Sequence, residues 1–483
     1  MNSKDCASFD LGMKKKIRFV EPRSPNATVF SKEMSLPLLG PVYLATILSN
    51  NGYDVKIYNE NITDIYQNEE LIPDLLDADI LMLSCLTSTA PRGYQIAADF
   101  KKHNPEKRVV MGGTHASFMA DSALEHVDSV VIGEAESIIE YVVESDNRVY
   151  AGTHANLDEL PLPDFTLIEG LKSMSTTPVS TSRGCPFNCN FCSVTSMFGR
   201  NYRFRSSENV MAELRGIKSK NVFFYDDNFT ANKRRTKELL TQMKQEQLNF
   251  RWETQVRTDV VNDPELLKLM VDTNCKRVYI GFESINPQTL KLFNKAQGVA
   301  EIKNSIQKLH DCGISVHGMF VVGSDVDDKR CASRTIDFCH DHDIDTVQLM
   351  ILTPIPGSCT YDEFNSQNRL ITKNWSYYDG HHVVYKPRLM TPLELQTEVV
   401  EAMKSFYSRY RSLKYAAKDL FGYYVFSMKN WYLLKKSRAP NLKNYAYKFV
   451  GSNIIRKWMR ENKDYLSFLA KFSSSNTALS NSC

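Results

Sequence analysis

Apolar, β-branched runs punctuate residues 15–150 at intervals, and the stretches between them place apolar residues three and four apart. The runs are KIRFVEP (16–22), DVKIYN (54–59), DILMLSCL (79–86), RVVMGG (108–113) and DSVVIGE (128–134). Helices are predicted near 38–50, 91–103 and 116–126, with NNG at 50–52 as a stop signal and Pro91 at a first helical position. Short strands alternating with helices imply a parallel sheet covered on both faces. In such a sheet a ligand binds beyond the carboxyl ends of the strands, which here carry 22–24, 84–89, 112–115 and 133–136.

The expected strand order of this first domain, 15–150, is flavodoxin-like. NRVYAG (147–152) reads as a small hairpin strand, and 151–177, with Pro161 and Pro163, reads as a linker. A second α/β series fills 178–374. Its strands are PVSTSRG (178–184), NVFFYDD (221–227), WETQVR (252–257), RVYIGFES (277–284), ISVHGMFVVG (314–323) and DTVQLMILTPI (345–355), and its helices include 232–246, 264–272, 299–311 and 329–342. Six βα units fall short of the eight that close a barrel, so a partial (β/α)6 TIM-type barrel is expected, active at its strand C-termini. Residues 375–470 read as an aromatic, basic and mostly helical region. Thr391, Pro392 and Glu394 give helix-start signals there, and 471–483 reads as a disordered tail.

A chain of 483 residues exceeds what one core serves, in keeping with two or three domains. The N-terminus has no apolar core of a secretory signal, and no stretch reaches the length of a membrane span. The eleven cysteines are odd in number and mostly scattered, as expected of reduced thiols in the cytoplasm.

One group is not scattered. TSRGCPFNCNFCSVT holds Cys185, Cys189 and Cys192 as C-x-x-x-C-x-x-C. Structural zinc takes four ligands, so His154 or another distant residue would have to complete the set, and a catalytic zinc accepts three with water, although those sites usually include histidine. All-thiolate ligation suits iron–sulfur instead, and a cubane on three thiolates leaves one iron for a ligand that is not protein.

With Phe191 before the last cysteine, after the first strand of a six-unit partial barrel, this stretch resembles the radical S-adenosylmethionine superfamily. The resemblance implies a [4Fe–4S] cluster on Cys185, Cys189 and Cys192 whose free iron chelates S-adenosylmethionine. Reductive cleavage there yields a 5′-deoxyadenosyl radical that abstracts a substrate hydrogen. By their places at strand ends, Phe191, Asp226, Asp227, Gln255, Arg257 and Glu283 become candidate S-adenosylmethionine contacts. FFYDDNFT departs from the Gly-Gly-Glu stretch common in the superfamily, so only an acidic position carries over.

The first domain, joined to this barrel, resembles the cobalamin-binding subclass of that superfamily through SLPLLGPVYLATIL, SCLTSTAPRGY, MGGTHAS and IGEAE. Ser84, Thr87 and Ser88 offer hydroxyls to the amide-rich corrin edge, and Gly112 and Gly113 allow close approach to the backbone. His115 and Glu134 complete the cobalamin candidates. The D-x-H-x-x-G motif with a cobalt-ligating histidine is absent, so no lower axial ligand is named.

The resemblance implies C-methylation of an unactivated carbon in a lipid or specialised metabolite, with an electron donor such as flavodoxin or ferredoxin. Two alternatives stay open: radical cyclisation or rearrangement without methyl transfer, and a non-catalytic iron–sulfur or zinc module binding RNA or membrane. Residues 404–460 hold fourteen Lys or Arg against the single acid Asp419, interleaved with aromatics. That mixture suits peripheral contact with an anionic membrane, and nucleic acid is the less expected partner.

Overall fold

A computed structural model of the chain describes residues 15–24, 36–410, 413, 417 and 442–480. Two compact units emerge, one extending to Ser173 and the other from Met174 onward, with Leu36 counted in the second.

In the N-terminal unit, β1 (Lys16–Glu21), β2 (Asp54–Asn59), β3 (Ile80–Ser84), β4 (Arg108–Gly112), β5 (Ser129–Ile132) and β6 (Val149–Ala151) form one sheet in the order β2-β1-β3-β4-β5-β6. All the pairings are parallel. The first five strands follow the flavodoxin-like order, with β6 added at the edge. The helices α1 (Leu39–Asn50), α2 (Ala90–His103), α3 (Thr114–Phe118) and α4 (Ile139–Glu144) connect them. Strands with both faces covered are apolar on both faces, hence the continuous runs in the sequence. One face packs Val20, Leu81, Leu83, Val109 and Met111, and the other Ile17, Phe19, Ile57, Met82 and Val110.

Two expectations change here. NRVYAG is not a hairpin strand: its Val149–Ala151 joins β5 in parallel, with Val130 opposite Val149. The expected linker is largely part of this unit as well. Ile168 bridges Ile57, Asp164 N–H donates to Thr46 Oγ1 at 3.0 Å, and Phe165, Leu167 and Leu171 pack against the core.

The second unit is a half-barrel of β7 (Thr176–Val179), β8 (Asn221–Phe224), β9 (Arg251–Val256), β10 (Cys275–Glu283), β11 (Ser315–Val322) and β12 (Thr346–Ile351). These six strands pair in parallel and in chain order, leaving β7 and β12 as edges. Outside them lie α5 (Ser207–Gly216), α6 (Lys233–Gln245), α7 (Pro264–Asp272), α8 (Pro287–Leu292), α9 (Val299–Asp311), α10 (Cys331–Asp341) and α11 (Cys359–Ser366). Alternate strand positions such as Trp252, Val278, Phe320 and Leu349 face these helices and form the largest core.

Then α12 (Pro392–Phe406) opens on a reciprocal capping box between Thr391 and Glu394. The last helices are α13 (Leu442–Glu461) and α14 (Lys463–Ser480). Tyr465 and Leu469 bury themselves and anchor α14, which continues helical through residues whose composition suggested disorder. Most of the basic, aromatic stretch within 404–460 lies outside the described residues. No helix among the described residues is long and apolar enough to cross a membrane.

Candidate functional site

The run PVSTSRG does not form one strand. β7 stops at Val179, and Ser182–Arg183 pairs antiparallel with Arg203–Phe204. Gly184 then turns at φ +86°, a conformation that favours glycine, and releases the thiol loop at the mouth of the half-barrel.

Asp226 fixes this departure. It is fully buried after β8 and accepts N–H bonds from Thr181 at 2.7 Å and Ser182 at 2.9 Å, together with the Thr181 hydroxyl. Arg235 donates to Thr181 Oγ1 at 2.7 Å and to Thr181 O at 3.1 Å from the other side. Sequence reasoning offered Asp226 and Asp227 equally, and the structure separates them. Asp227 is exposed and accepts the Gly184 N–H. Although the residue as a whole is exposed, its carboxyl is largely desolvated, and that, with the Asp226 charge beside it, pushes its pKa up to about 6.

The three thiols are half-buried. Burial pushes Cys192 up to about 12 and raises Cys185 and Cys189. Asp227 adds to the rise at Cys185 and Cys192, and the thiols raise one another. Lys295 and Arg257 act oppositely on Cys189. Among the described residues no three Cys, His, Asp or Glu side chains converge as metal ligands. As a donor set, three neighbouring thiols beside two cations fit an anionic iron–sulfur cluster, whose binding would drive their deprotonation.

Arg257 is buried, its guanidinium carbon 3.7 Å from the centre of the Phe187 ring and its NH2 donating to Ala296 O at 3.3 Å. Gln255 is half-buried at the end of β9. Glu283 ends β10 at φ +59°, an uncommon backbone for glutamate, beyond a register irregularity after Gly281. Lys295 Nζ holds its Oε1 at 2.9 Å in a buried ion pair. Phe191 packs on Phe293, ring centres 5.0 Å apart.

Sequence reasoning missed the groups that tether this loop. Asn190 O accepts from Thr360 N at 3.1 Å, and Asn190 Nδ2 donates to Leu292 O at 2.9 Å. Asn294 Nδ2 donates to Asn188 O at 2.8 Å. Lys295 lies 106 residues beyond Cys189, and no local motif marks it.

In the N-terminal unit the strand ends carry Ser84, the Thr87–Thr89 turn, Gly112 and Gly113, and Glu134 just after β5. The two glycines differ. Gly113 has φ +93°, and a Cβ there would lie 2.6 Å from Cys85 O, so the fold itself requires glycine. A Cβ at Gly112 would meet only Val131 Cβ at 3.9 Å, leaving the approach open that a bulky ligand needs. The hydroxyls of Ser84 and Ser88 are half-buried, and Thr87 is buried. This cradle of hydroxyls and one open glycine fits the amide-rich rim of cobalamin. His115 is fully buried with Nε2 2.7 Å from the Tyr94 hydroxyl, and burial lowers its pKa to about 4. Glu134 is 5 % exposed.

Residues 179–339 match the radical SAM superfamily and residues 27–143 the B12 binding domain. An uncharacterized methyltransferase (PH0819) of Pyrococcus horikoshii is 30% identical over 449 residues, covering 86% of this chain and 96% of its own. The chain belongs to the cobalamin-dependent radical SAM methyltransferase family. Within that family, the bacteriochlorophyllide d C-12(1)-methyltransferase of Chlorobaculum tepidum is 27% identical, over 82% of this chain and 88% of its own. The hopanoid C-3 methylase of Methylococcus capsulatus is 25% identical, over 82% and 81%. The solved structure of OxsB, a cobalamin-dependent S-adenosylmethionine radical enzyme with aqua-cobalamin and S-adenosylmethionine bound, superposes with TM-score 0.64. At 14% identity and coverage of 94% of this chain and 81% of that one, it confirms the fold.

Proposed function

We propose that this enzyme methylates an unactivated carbon of a fused-ring small molecule. The observation that carries the reading is the group around the thiol loop: three thiols with Asp227, Arg257 and Lys295 beside them, in a chain with its own cobalamin-type domain. When bound, the [4Fe–4S] cluster with S-adenosylmethionine supplies a carbon radical that removes an unactivated hydrogen, and cobalamin supplies the methyl group.

Cys185, Cys189 and Cys192 hold the cluster. Asp227, ionised above about pH 6, takes the ammonium of the methionine moiety. Arg257 and Gln255 take its carboxylate or the ribose. Glu283, locked by Lys295, shapes the wall beside Cys189. Phe191 keeps the loop seated on Phe293. Asp226 positions the loop without touching the cofactor.

In the N-terminal unit Ser84, Thr87 and Ser88 would meet the corrin amides, and Gly112 would leave room for the ring. His115, Gly113 and Glu134 hold the strand ends in place. A flavodoxin or ferredoxin supplies the electron in the cytoplasm, and the basic stretch within 404–460 brings the enzyme to a membrane surface carrying an apolar substrate.

The test is anaerobic reconstitution with iron, sulfide and hydroxocobalamin, followed by reduction with trideuteromethyl-labelled S-adenosylmethionine and a fused-ring acceptor. Bacteriochlorophyllide d and a hopanoid are the first acceptors to try. A labelled methyl in the product, with 5′-deoxyadenosine, is expected. No 5′-deoxyadenosine sinks the enzymatic reading. The nucleoside with a converted but unlabelled product would point to cyclisation instead.

A further inference from the structure

Along β11 and β12, Val316, Phe320, Val347, Leu349 and Ile351 belong to the helix-side core. The alternate residues His317, Met319, Gln348 and Met350 therefore face the lumen of the half-barrel, Met350 at the edge also packing against the core, and all four are partly exposed. Register sets them in rows. Tyr279 pairs with His317, and His317 with Thr346; one row nearer the mouth, Gly281 pairs with Met319, and Met319 with Gln348.

The lower row is satisfied internally. His317 Nδ1 lies 2.8 Å from Thr346 Oγ1, its ring is 4.6 Å from Tyr279, and the Tyr279 hydroxyl donates to Glu253 Oε2 at 3.0 Å. Burial holds the His317 pKa near about 3, so the floor carries a neutral imidazole. The upper row is different: two thioethers and an amide, with Gln348 hydrogen-bonded down to His317 and its Nε2 3.5 Å from the Met350 sulfur. The nearest charges are already paired. Arg277, on the same face below Tyr279, lies 3.9 Å from Glu253, which also accepts from Tyr279, and Glu283 is held by Lys295 across the space that a Gly281 side chain would fill.

β12 is an edge strand, and a second segment closes it. Ile351 N–H donates to Gly380 O at 2.8 Å, and Gly380, at φ +80°, lies where a Cβ would come 3.3 Å from the Met350 sulfur. His381 follows, its backbone pinned on both sides. Its N–H donates to Asp379 Oδ1 at 2.8 Å and its carbonyl accepts from Gln396 Nε2 at 2.9 Å. Asp379 is in turn held by His382 at 3.0 Å. The half-buried His381 imidazole makes no hydrogen bond among the described residues, and desolvation lowers its pKa.

We propose that Met319, Gln348 and Met350, with His381 at their edge, form the substrate wall of the enzyme, and that it binds the face of an uncharged fused-ring hydrophobe while His381 grips one polar group. The proposal rests on the methyl-transfer reading and adds that the substrate is uncharged and which residues select it. An uncharged wall cannot compensate a buried anion or cation, which excludes nucleotides and charged peptides from this surface. Flexible, polarisable thioethers suit broad ring faces, and most of a ligand's affinity in such a site comes from apolar area.

The full-length enzyme, loaded with cluster and cobalamin, is titrated with magnesium protoporphyrin IX dimethyl ester, read by its Soret band, and with the pentacyclic hydrocarbon diploptene, read by equilibrium dialysis. Uroporphyrin, which carries carboxylates around the same ring, is the charged comparison. At least one uncharged probe should bind, with uroporphyrin about tenfold weaker or worse. Met350→Lys and His381→Ala should each weaken the bound probe by about tenfold, and Met350→Leu by less than about threefold, at unchanged melting temperature. Wild-type enzyme that binds neither uncharged probe overturns the proposal, as do Met350→Lys and His381→Ala variants that bind like wild type, or uroporphyrin binding as well as the bound uncharged probe. Formation of 5′-deoxyadenosine from S-adenosylmethionine alone by the wild type is measured in parallel. Its presence with failed probe binding sinks the wall and spares the methyl-transfer reading, and its absence sinks that reading.

Discussion

Glu21 closes β1 at 7 % exposure, accepts the Leu38 N–H at 3.2 Å, and is pushed by burial from 4.5 up to about 7. Between those values the folded chain holds a proton that the unfolded chain has released. Stability of the N-terminal unit therefore falls as pH rises through that window, by about 3 kcal/mol across it, and the loss is complete above the folded value. Glu21→Gln keeps the acceptor and removes the titration. Denaturant unfolding at about pH 5 and about pH 8 should show a flatter profile for the variant and greater stability at the higher pH. A wild-type slope that survives the substitution would remove Glu21 as its source.

At the same scale, Asp226 and Asp227 are adjacent but answer to different forces. Asp226→Asn disturbs a buried acceptor beside the buried Arg235 and should cost about 3 kcal/mol. Asp227→Asn removes a charge that its surroundings disfavour, so it should not destabilise the fold and should instead weaken S-adenosylmethionine binding. Thermal melts and ligand titrations on the two variants separate these effects, and matching losses of stability would contradict the division.

At the scale of elements, the loop from β4 into α3 shows how one dipeptide divides its work. Gly113→Ala drives a methyl toward Cys85 O and forces a left-handed residue, so a loss of about 2 kcal/mol or more is expected. Gly112→Leu begins its side chain in ordinary contact with Val131, with no clash at Cβ, and should melt within about 1 kcal/mol of wild type, yet retain less corrin after gel filtration. Equal melting losses would refute the distinction. The sequence shows Gly-Gly after an apolar run but not which glycine the backbone consumes, because that depends on Cys85 arriving from another strand.

The same limit recurs across the fold. Six βα units and the C-x-x-x-C-x-x-C loop were legible because both are local patterns of period and spacing. The parallel pairing of Val149–Ala151 was not, since six residues specify a strand but not its partner. Neither Lys295 nor the Thr360–Asn190 tether carries a local signal, as tertiary packing alone brings them to the thiols.

For the whole molecule, the decisive fact is that apolar burial is divided by unit. The N-terminal sheet buries two clusters of its own, and the half-barrel buries a third that draws only on residues after Ser173. Cooperativity follows shared cores, so calorimetry of the intact enzyme should show two transitions instead of one. The residues proposed for cobalamin all belong to the first unit and those proposed for the cluster to the second, and a ligand stabilises what folds with it. Hydroxocobalamin at about a hundredfold over its dissociation constant should add about 2.7 kcal/mol to one transition. Iron and sulfide should raise the other, through the loop of Cys185, Cys189 and Cys192, and Cys189→Ala should abolish that second shift while leaving the first. A single transition moved by both ligands would show that the units fold as one, with the two cofactor sites coupled through stability as well as chemistry.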